Sequence, residues 1–144
     1  HSEKYLKGSR AFQIWFDPNF SKSLQKAPYY KDYQSDAFNW TTKNNLEVKT
    51  YAGEDAPIKT DAPGISAKRY KLPKGAHNIT LNKNSCQSLY LMKGHITVEG
   101  SNMPKDSFTK VSNIDKINLY ASENSELFIL QSPINVNYKK ITDR

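Results

Sequence analysis

The sequence predicts an all-β barrel or sandwich that follows an extended N-terminal arm. From residue 66 onward, short apolar runs recur every 8–12 residues or so, which is the spacing typical of these folds. Gly, Pro, Asn and Asp residues separate the runs at positions suited to turns. No long amphipathic helix, Gly/Ser linker or internal repeat interrupts them. The 144 residues suit one domain with a buried core.

The predicted arm covers residues 1–45. Residues 11–16 are rich in aromatic and aliphatic side chains and resemble a strand, which Asp17-Pro18-Asn19 would end. Residues 27–30 are expected to be extended, and residues 31–40 to form turns or one short helix. The arm is therefore expected to contribute one strand and little helix.

The predicted barrel covers residues 46–144. Residues 46–51 alternate between apolar and polar side chains, the pattern of a half-buried strand. Residues 55–65 contain Pro57 and Pro63 and are expected to form a loop. The remaining predicted strands are residues 67–72, 77–81, 88–92, 95–99, 108–111, 116–121 and 127–131.

The composition narrows the classes of function. The net charge of +7, from 21 basic and 14 acidic residues, is scattered along the chain, so a lysine-rich solvated surface is favoured over nucleic-acid binding. The single cysteine, Cys86, can form no intrachain disulfide, which favours a reducing compartment and a cytoplasmic location. No long uninterrupted apolar run predicts a membrane-spanning helix.

Residues 88–99 resemble the central hairpin of a cupin, a jelly-roll (double-stranded β-helix) barrel. The first cupin motif has a glycine at each end, and Gly75 and Gly94 occupy these two places without a gap. The three places where that motif carries its His, His and Glu ligands then fall on Leu81, Lys83 and Gln87.

The second cupin motif centres on a Pro-x-Gly turn and later supplies another His ligand. Pro104-Lys105-Asp106 stands in the place of that turn, and Phe108 or Thr109 in the place of the His. Leucine cannot coordinate a metal, a lysine ammonium has no free lone pair, and glutamine is a weak neutral donor. This barrel is therefore expected to have a cupin frame without a metal site of its own.

The rest of the chain resembles the second half of pirin-like proteins, which consist of two cupin domains. Residues 11–16 followed by residues 27–30 resemble the link between those domains. Residues 48–54 and residues 127–133 resemble the opening and closing strands of the second domain, and His1-Ser2-Glu3 resembles the His-x-Glu that ends the metal motifs of the first. The chain is thus expected to be the C-terminal half of a longer protein.

The resemblance implies a function for that longer protein. In pirin-like proteins three His and one Glu of the first domain bind one metal, usually iron, so His1 and Glu3 would be two of the four ligands. Imidazole and carboxylate suit Fe(II) and leave positions open for O₂ or substrate. The parent would be a quercetin 2,3-dioxygenase-like enzyme with a small aromatic substrate. The present chain would pack against the N-terminal cupin domain and is expected to bind no metal alone.

Three alternatives remain open at this stage. His1-Ser2-Glu3 is also compatible with a tag remnant or a frayed terminus that binds nothing. A copper histidine brace would need His1 together with His77 or His95, which are otherwise expected to be surface residues. Finally, the whole chain could be a non-catalytic cupin module for interaction or scaffolding. Cys86 is expected to pack in the barrel rather than to act as a nucleophile.

Overall fold

The computed structural model describes residues 3–11 and 13–141 and confirms the predicted all-β barrel. Ten strands form within these residues, together with one short α-helix and one 3₁₀ turn at Ser35–Ala37. The helix is α1 (Phe20–Ser23). The strands are β1 (Trp40–Lys43), β2 (Leu46–Ala52), β3 (Ser66–Leu72), β4 (Gly75–Thr80), β5 (Ser85–Lys93), β6 (His95–Val98), β7 (Ser101–Pro104), β8 (Phe108–Val111), β9 (Lys116–Ala121) and β10 (Ser125–Pro133).

The strands form two antiparallel sheets that face each other as a jelly roll. One sheet has six strands in the order β1-β2-β3-β10-β5-β8, and the other has four in the order β4-β9-β6-β7. The chain passes repeatedly from one sheet to the other, so neighbours in sequence are often in opposite sheets. This connectivity encloses one core between the two inner faces.

The core consists of the alternate residues of each strand that point between the sheets. Along β5 the burial alternates from Ser85 to Leu91, as expected for a strand with one face inward. Burial of each large aliphatic side chain contributes about 1.5–3 kcal/mol to stability. The most deeply buried of these residues are Leu72, Leu89, Leu91, Ile96, Ile117 and Leu127.

The structure corrects several predictions for individual elements. The predicted strand at residues 11–16 is wrong, because none of its described residues lies in a strand and Trp15 is 79% exposed. An apolar run predicts a strand only where a neighbouring strand can pair with it. The structure also contains α1, β1 and β7, which the sequence pattern did not indicate because their side chains are mostly polar and exposed. Among the described residues, no helix has the length and apolar character needed to cross a membrane.

The arm follows the barrel surface and is held there by polar contacts. The backbone N–H of Asn19 donates to the carbonyl oxygen of Asp61 at 2.8 Å, and Lys26 Nζ lies 2.5 Å from Asp61 Oδ1. Tyr33 Oη donates to the carbonyl oxygen of Pro57 at 3.0 Å. β1 joins the six-stranded sheet, while the predicted domain boundary after residue 45 stays a prediction.

Candidate functional site

A cleft lies at one end of the barrel, where β2 ends and β3 begins. Its volume is about 960 Å³. One wall is the loop of residues 53–65, and the other is the inner face of the six-stranded sheet. We call this cleft the barrel mouth. The polar residues that the sheet contributes to it are Thr41, Lys43, Thr50, Ser66, Lys68 and Gln131.

Strand register explains why Lys68 points into the barrel. Lys68 pairs with Thr50 on one side and with Ile129 on the other, and paired residues of antiparallel strands lie on the same face of the sheet. Ile129 is 4% exposed and belongs to the core, so this face is the inner one. Lys43 reaches the same face because it pairs with the buried Leu46.

The two lysines create a positive region on the inner face. Desolvation lowers the pKa of Lys68, and the nearby charge of Lys43 lowers it further. Within residues 3–11 and 13–141, no salt bridge involves either lysine. The loop wall carries Glu54 and Asp55, and also Lys59, whose Nζ donates to the carbonyl oxygen of Glu54 at 2.6 Å.

Gln131 lines the barrel mouth, and its strand partner Gln87 lies beside it on the inner face of the sheet. Gln87 is 2% exposed and its Nε2 donates to Oε1 of Gln131 at 3.2 Å. The Nε2 of Gln131 donates to the carbonyl oxygen of Gly64 at 3.0 Å. This relay connects β5, β10 and the loop, and it satisfies a buried amide that would otherwise destabilise the fold.

The register brings together two of the four places where a cupin carries its ligands. Gln87 pairs with Val111 and Leu89 with Thr109, so Gln87 and Thr109 are diagonal neighbours on the inner face. Phe108 is 60% exposed and pairs with the outward-facing Tyr90, so Thr109 takes the ligand place. Leu81 packs against the core and Lys83 is exposed, as their chemistry requires.

These side chains do not fit the metal that the fold suggests. An iron site needs imidazole or carboxylate donors, whereas the four places offer an aliphatic group, an ammonium, an amide and a hydroxyl. Among the residues described here, no group of three or more His, Cys, Asp or Glu could hold a metal ion.

The predicted half-site of His1 and Glu3 stays a prediction. His1 lies outside the described residues. Glu3 is exposed and accepts a hydrogen bond from Oη of Tyr5. The other two histidines belong to the four-stranded sheet and do not line the barrel mouth. His77 Nε2 lies 2.6 Å from the carbonyl oxygen of Pro73, and the His95 ring contacts Asn102.

Sequence reasoning missed the lysines of the barrel mouth, although the signal was present. In β3, residues two apart lie on one face, so Lys68 shares its face with the buried Tyr70 and Leu72. A lysine on the apolar face of a strand indicates either a buried ion pair or a site. What the pattern could not indicate was the proximity of Lys43, which depends on the pairing of β1 with β2.

No family model matches the sequence, and no curated protein is significantly similar to it. The structure, however, is similar to solved structures. One is the quercetin 2,3-dioxygenase from Acinetobacter baumannii, with 17% identity and a TM-score of 0.66 over 82% of this chain and 43% of that chain. Another is the cupin domain of Schizosaccharomyces pombe Cnp3, with 17% identity and a TM-score of 0.51 over 71% of this chain and 73% of that chain.

A third similar structure is the bacterial pirin YhhW from Escherichia coli in complex with nickel(II). It is 18% identical, with a TM-score of 0.50 over 55% of this chain and 34% of that chain. The present chain thus spans less than half of the length of the dioxygenase and of the pirin. At these identities the likeness concerns the fold alone, and the chain folds as a cupin-type jelly-roll barrel.

Proposed function

We propose that this chain is the metal-free half of a two-domain, pirin-like cupin protein, and that its arm packs against the domain that carries the metal. The observation that carries the proposal is the exposed apolar surface of the arm. Of the twelve large apolar side chains exposed in the described residues, eight lie between residues 5 and 30. They are Tyr5, Leu6, Ile14, Trp15, Phe16, Leu24, Tyr29 and Tyr30.

This concentration supports an interface with a protein domain. Single exposed apolar residues are common on any surface, whereas eight large ones within one short segment support a role of that segment in binding. Trp15 and Tyr30 are 79% and 85% exposed, and large aromatic residues are the side chains enriched at the centres of interfaces. A second cupin domain suits this surface, because the chain aligns with 43% of the similar dioxygenase and leaves room for another barrel.

The proposed division of labour follows from donor chemistry. The four ligand places of this barrel carry Leu81, the exposed Lys83, Gln87 and Thr109, none of which is an imidazole or a carboxylate. In the proposed protein, iron is bound by two histidines of the other domain together with His1 and Glu3. A bound Fe(II) ion of this kind would activate O₂ toward a small aromatic substrate of the quercetin type. The present barrel supplies the packing surface for that domain.

A second candidate is a non-catalytic interaction module. The same exposed arm supports it, as does the amide relay from Gln87 to Gln131, which occupies the place where a metalloenzyme of this fold needs a carboxylate. In that case the arm binds an unrelated protein and no iron is involved. The whole reading frame separates the two candidates, because only the first requires a cupin domain with a His-x-His pair upstream of residue 1.

Tryptophan accessibility tests the proposed packing. The product of the whole reading frame, with any tryptophan outside the 144 residues replaced by phenylalanine, would be compared with the 144-residue chain. Each would be made as W40F, which retains Trp15, and as W15F, which retains Trp40. We expect acrylamide to quench Trp15 strongly in the short chain and weakly in the long protein. Trp40 lies on the sheet and is the matched control, with equal quenching in both. Equal quenching of Trp15 in both proteins, or a reading frame without a second cupin domain, would reject the proposal.

A further inference from the structure

We propose that the barrel mouth binds a small hydroxylated organic acid, whose carboxylate is held by the ammonium groups of Lys43 and Lys68. This site is lined by the inner face of the sheet, by residues 37–39 and by the loop of residues 53–65. Neither Glu3 nor the eight exposed apolar residues of the arm line it. Binding at this site therefore does not depend on the two-domain proposal.

Lys43 and Lys68 place two ammonium groups in the barrel mouth. Lys43 and Lys68 both line the cleft and are close enough for one charge to act on the other. Lys68 is half-buried, beside the core residue Ile129. In the part of the chain that the structure describes, neither lysine is ion-paired, whereas the nearby Arg69 and Lys71 on the outer face are paired with Glu126 and Glu47.

The arrangement of these two ammonium groups is energetically unfavourable. A half-buried ammonium beside a second ammonium destabilises the empty protein, because both desolvation and like-charge repulsion oppose its charged form. The lowered pKa of Lys68 is the electrostatic sign of the same conflict. A bound carboxylate would relieve both effects at once, since it supplies an opposite charge and hydrogen-bond acceptors.

The volume of the cleft and its other polar residues indicate what the rest of the ligand is. The cleft of about 960 Å³ is large enough for a small molecule rather than a bare anion. The loop wall of the same cleft carries Glu54 and Asp55, which would accept hydrogen bonds from hydroxyl groups and would repel a second carboxylate. Thr50, which pairs with Lys68, adds a hydroxyl on the sheet side. A compound with one carboxylate and several hydroxyl groups matches both walls.

The test uses D-gluconate as the probe and D-glucitol as its uncharged counterpart, measured by calorimetric titration and by NMR shifts of the lysine side chains at neutral pH. We expect saturable binding of gluconate to the 144-residue chain, and binding of glucitol at least about tenfold weaker. K68M should weaken gluconate binding by about tenfold or more. The matched control is K110M, which removes the same charge from an exposed lysine outside the cleft.

A second readout separates a binding role from a structural one. Without ligand, K68M should raise the melting temperature, because it removes an unpaired half-buried charge; a purely structural lysine would show the reverse. If K68M does not fold, K43M at the exposed edge strand replaces it in the titration. Equal affinities of wild type, K68M and K110M would overturn the proposal. So would equal binding of gluconate and glucitol, or no binding of gluconate at millimolar concentration.

Discussion

Arg10 in the arm forms an ion pair with Asp106 in the turn before β8, 96 positions further along the chain. Oη of Tyr90 on β5 donates to the same Asp106 carboxylate at 3.0 Å. The hydrogen bond from Tyr90 is the main reason why the pKa of Asp106 lies below its ordinary value, and the charge of Arg10 adds to it. This three-residue contact ties the N-terminal part of the arm to the outer face of the barrel.

Breaking the ion pair should free the arm without unfolding the barrel. The side chains of Arg10 and Asp106 are 56% and 49% exposed, and exposed ion pairs contribute little to the stability of a fold. R10A should therefore speed proteolysis of the arm and leave the melting temperature almost unchanged. The control is K71A, which breaks the similarly exposed Lys71–Glu47 pair away from the arm. Equal arm proteolysis in R10A and wild type would contradict this role.

The same contact should depend on acidity in a defined direction. The pKa of Asp106 is lowered in the folded protein. The carboxylate therefore stabilises the contact with the arm at any pH above the ordinary pKa of an aspartate. This stabilisation is lost only as the pH falls through the lowered value. As the pH is lowered, cleavage of the wild-type arm by an acid-active protease should therefore begin to increase only below the ordinary pKa of an aspartate. In D106N the arm should be cleaved equally fast across that range.

Removal of one partner of the Gln87–Gln131 hydrogen bond should reduce stability by more than the net contribution of a typical hydrogen bond. In Q131L the buried amide of Gln87 loses its partner, which should reduce the free energy of unfolding by about 1–3 kcal/mol. In the Q87L/Q131L double variant the loss should be smaller than the sum of the two single losses, because no unsatisfied amide remains. Chemical denaturation measures all three variants. Simple additivity would show that the two amides are not coupled.

Tyr70 should make the fold sensitive to strongly alkaline pH. Burial raises its pKa from 10.0 to about 12, because the interior disfavours the phenolate. The stability that depends on the neutral phenol of Tyr70 is therefore fully present below pH 10 and is lost as the pH rises through 12. The loss amounts to about 2–3 kcal/mol over that window. Y70F, which cannot ionise, should lose less stability between these pH values than wild type; parallel losses would contradict the assignment.

Gly94 should tolerate no side chain, unlike another glycine with a similar backbone. Both Gly94 and Gly100 have positive φ, +86° and +78°. A Cβ on Gly94 would approach the Cα of Ser125 to 2.8 Å, whereas a Cβ on Gly100 would meet nothing within 4 Å. G100A should cost about 1 kcal/mol for the backbone alone. G94A should cost clearly more, because the backbone of β10 must shift, and equal melting temperatures would refute the packing argument.

Sequence patterns predicted the parts of the fold that depend on local alternation. Residues 108–111 and 116–121 were predicted as strands with the bounds that β8 and β9 have in the structure. The spacing of the cupin motif assigned Gln87 to a ligand place, and in the structure this residue is buried on the inner face. These successes share a cause, since the two-residue period of a half-buried strand is written in consecutive residues.

The features that were missed depend on contacts between distant residues. The apolar run near Trp15 could not reveal that no strand pairs with it among the described residues. β7 was hidden because its exposed polar residues resemble a turn. The barrel mouth requires β1 to pair with β2 and the loop to fold over Gln131, and neither event leaves a local signal. Which of Phe108 and Thr109 faces the inside of the barrel likewise depends on the register of β5 with β8.

Iron content is the most direct test of the central claim that this barrel is the metal-free half of a two-domain cupin. The product of the whole reading frame would be reconstituted with Fe(II) without oxygen, as wild type, E3Q and Q87A, and its iron measured per chain. The account predicts one iron in wild type and in Q87A, and a large loss in E3Q. Full iron in E3Q, or stoichiometric iron in the 144-residue chain that Q87A removes, would contradict it.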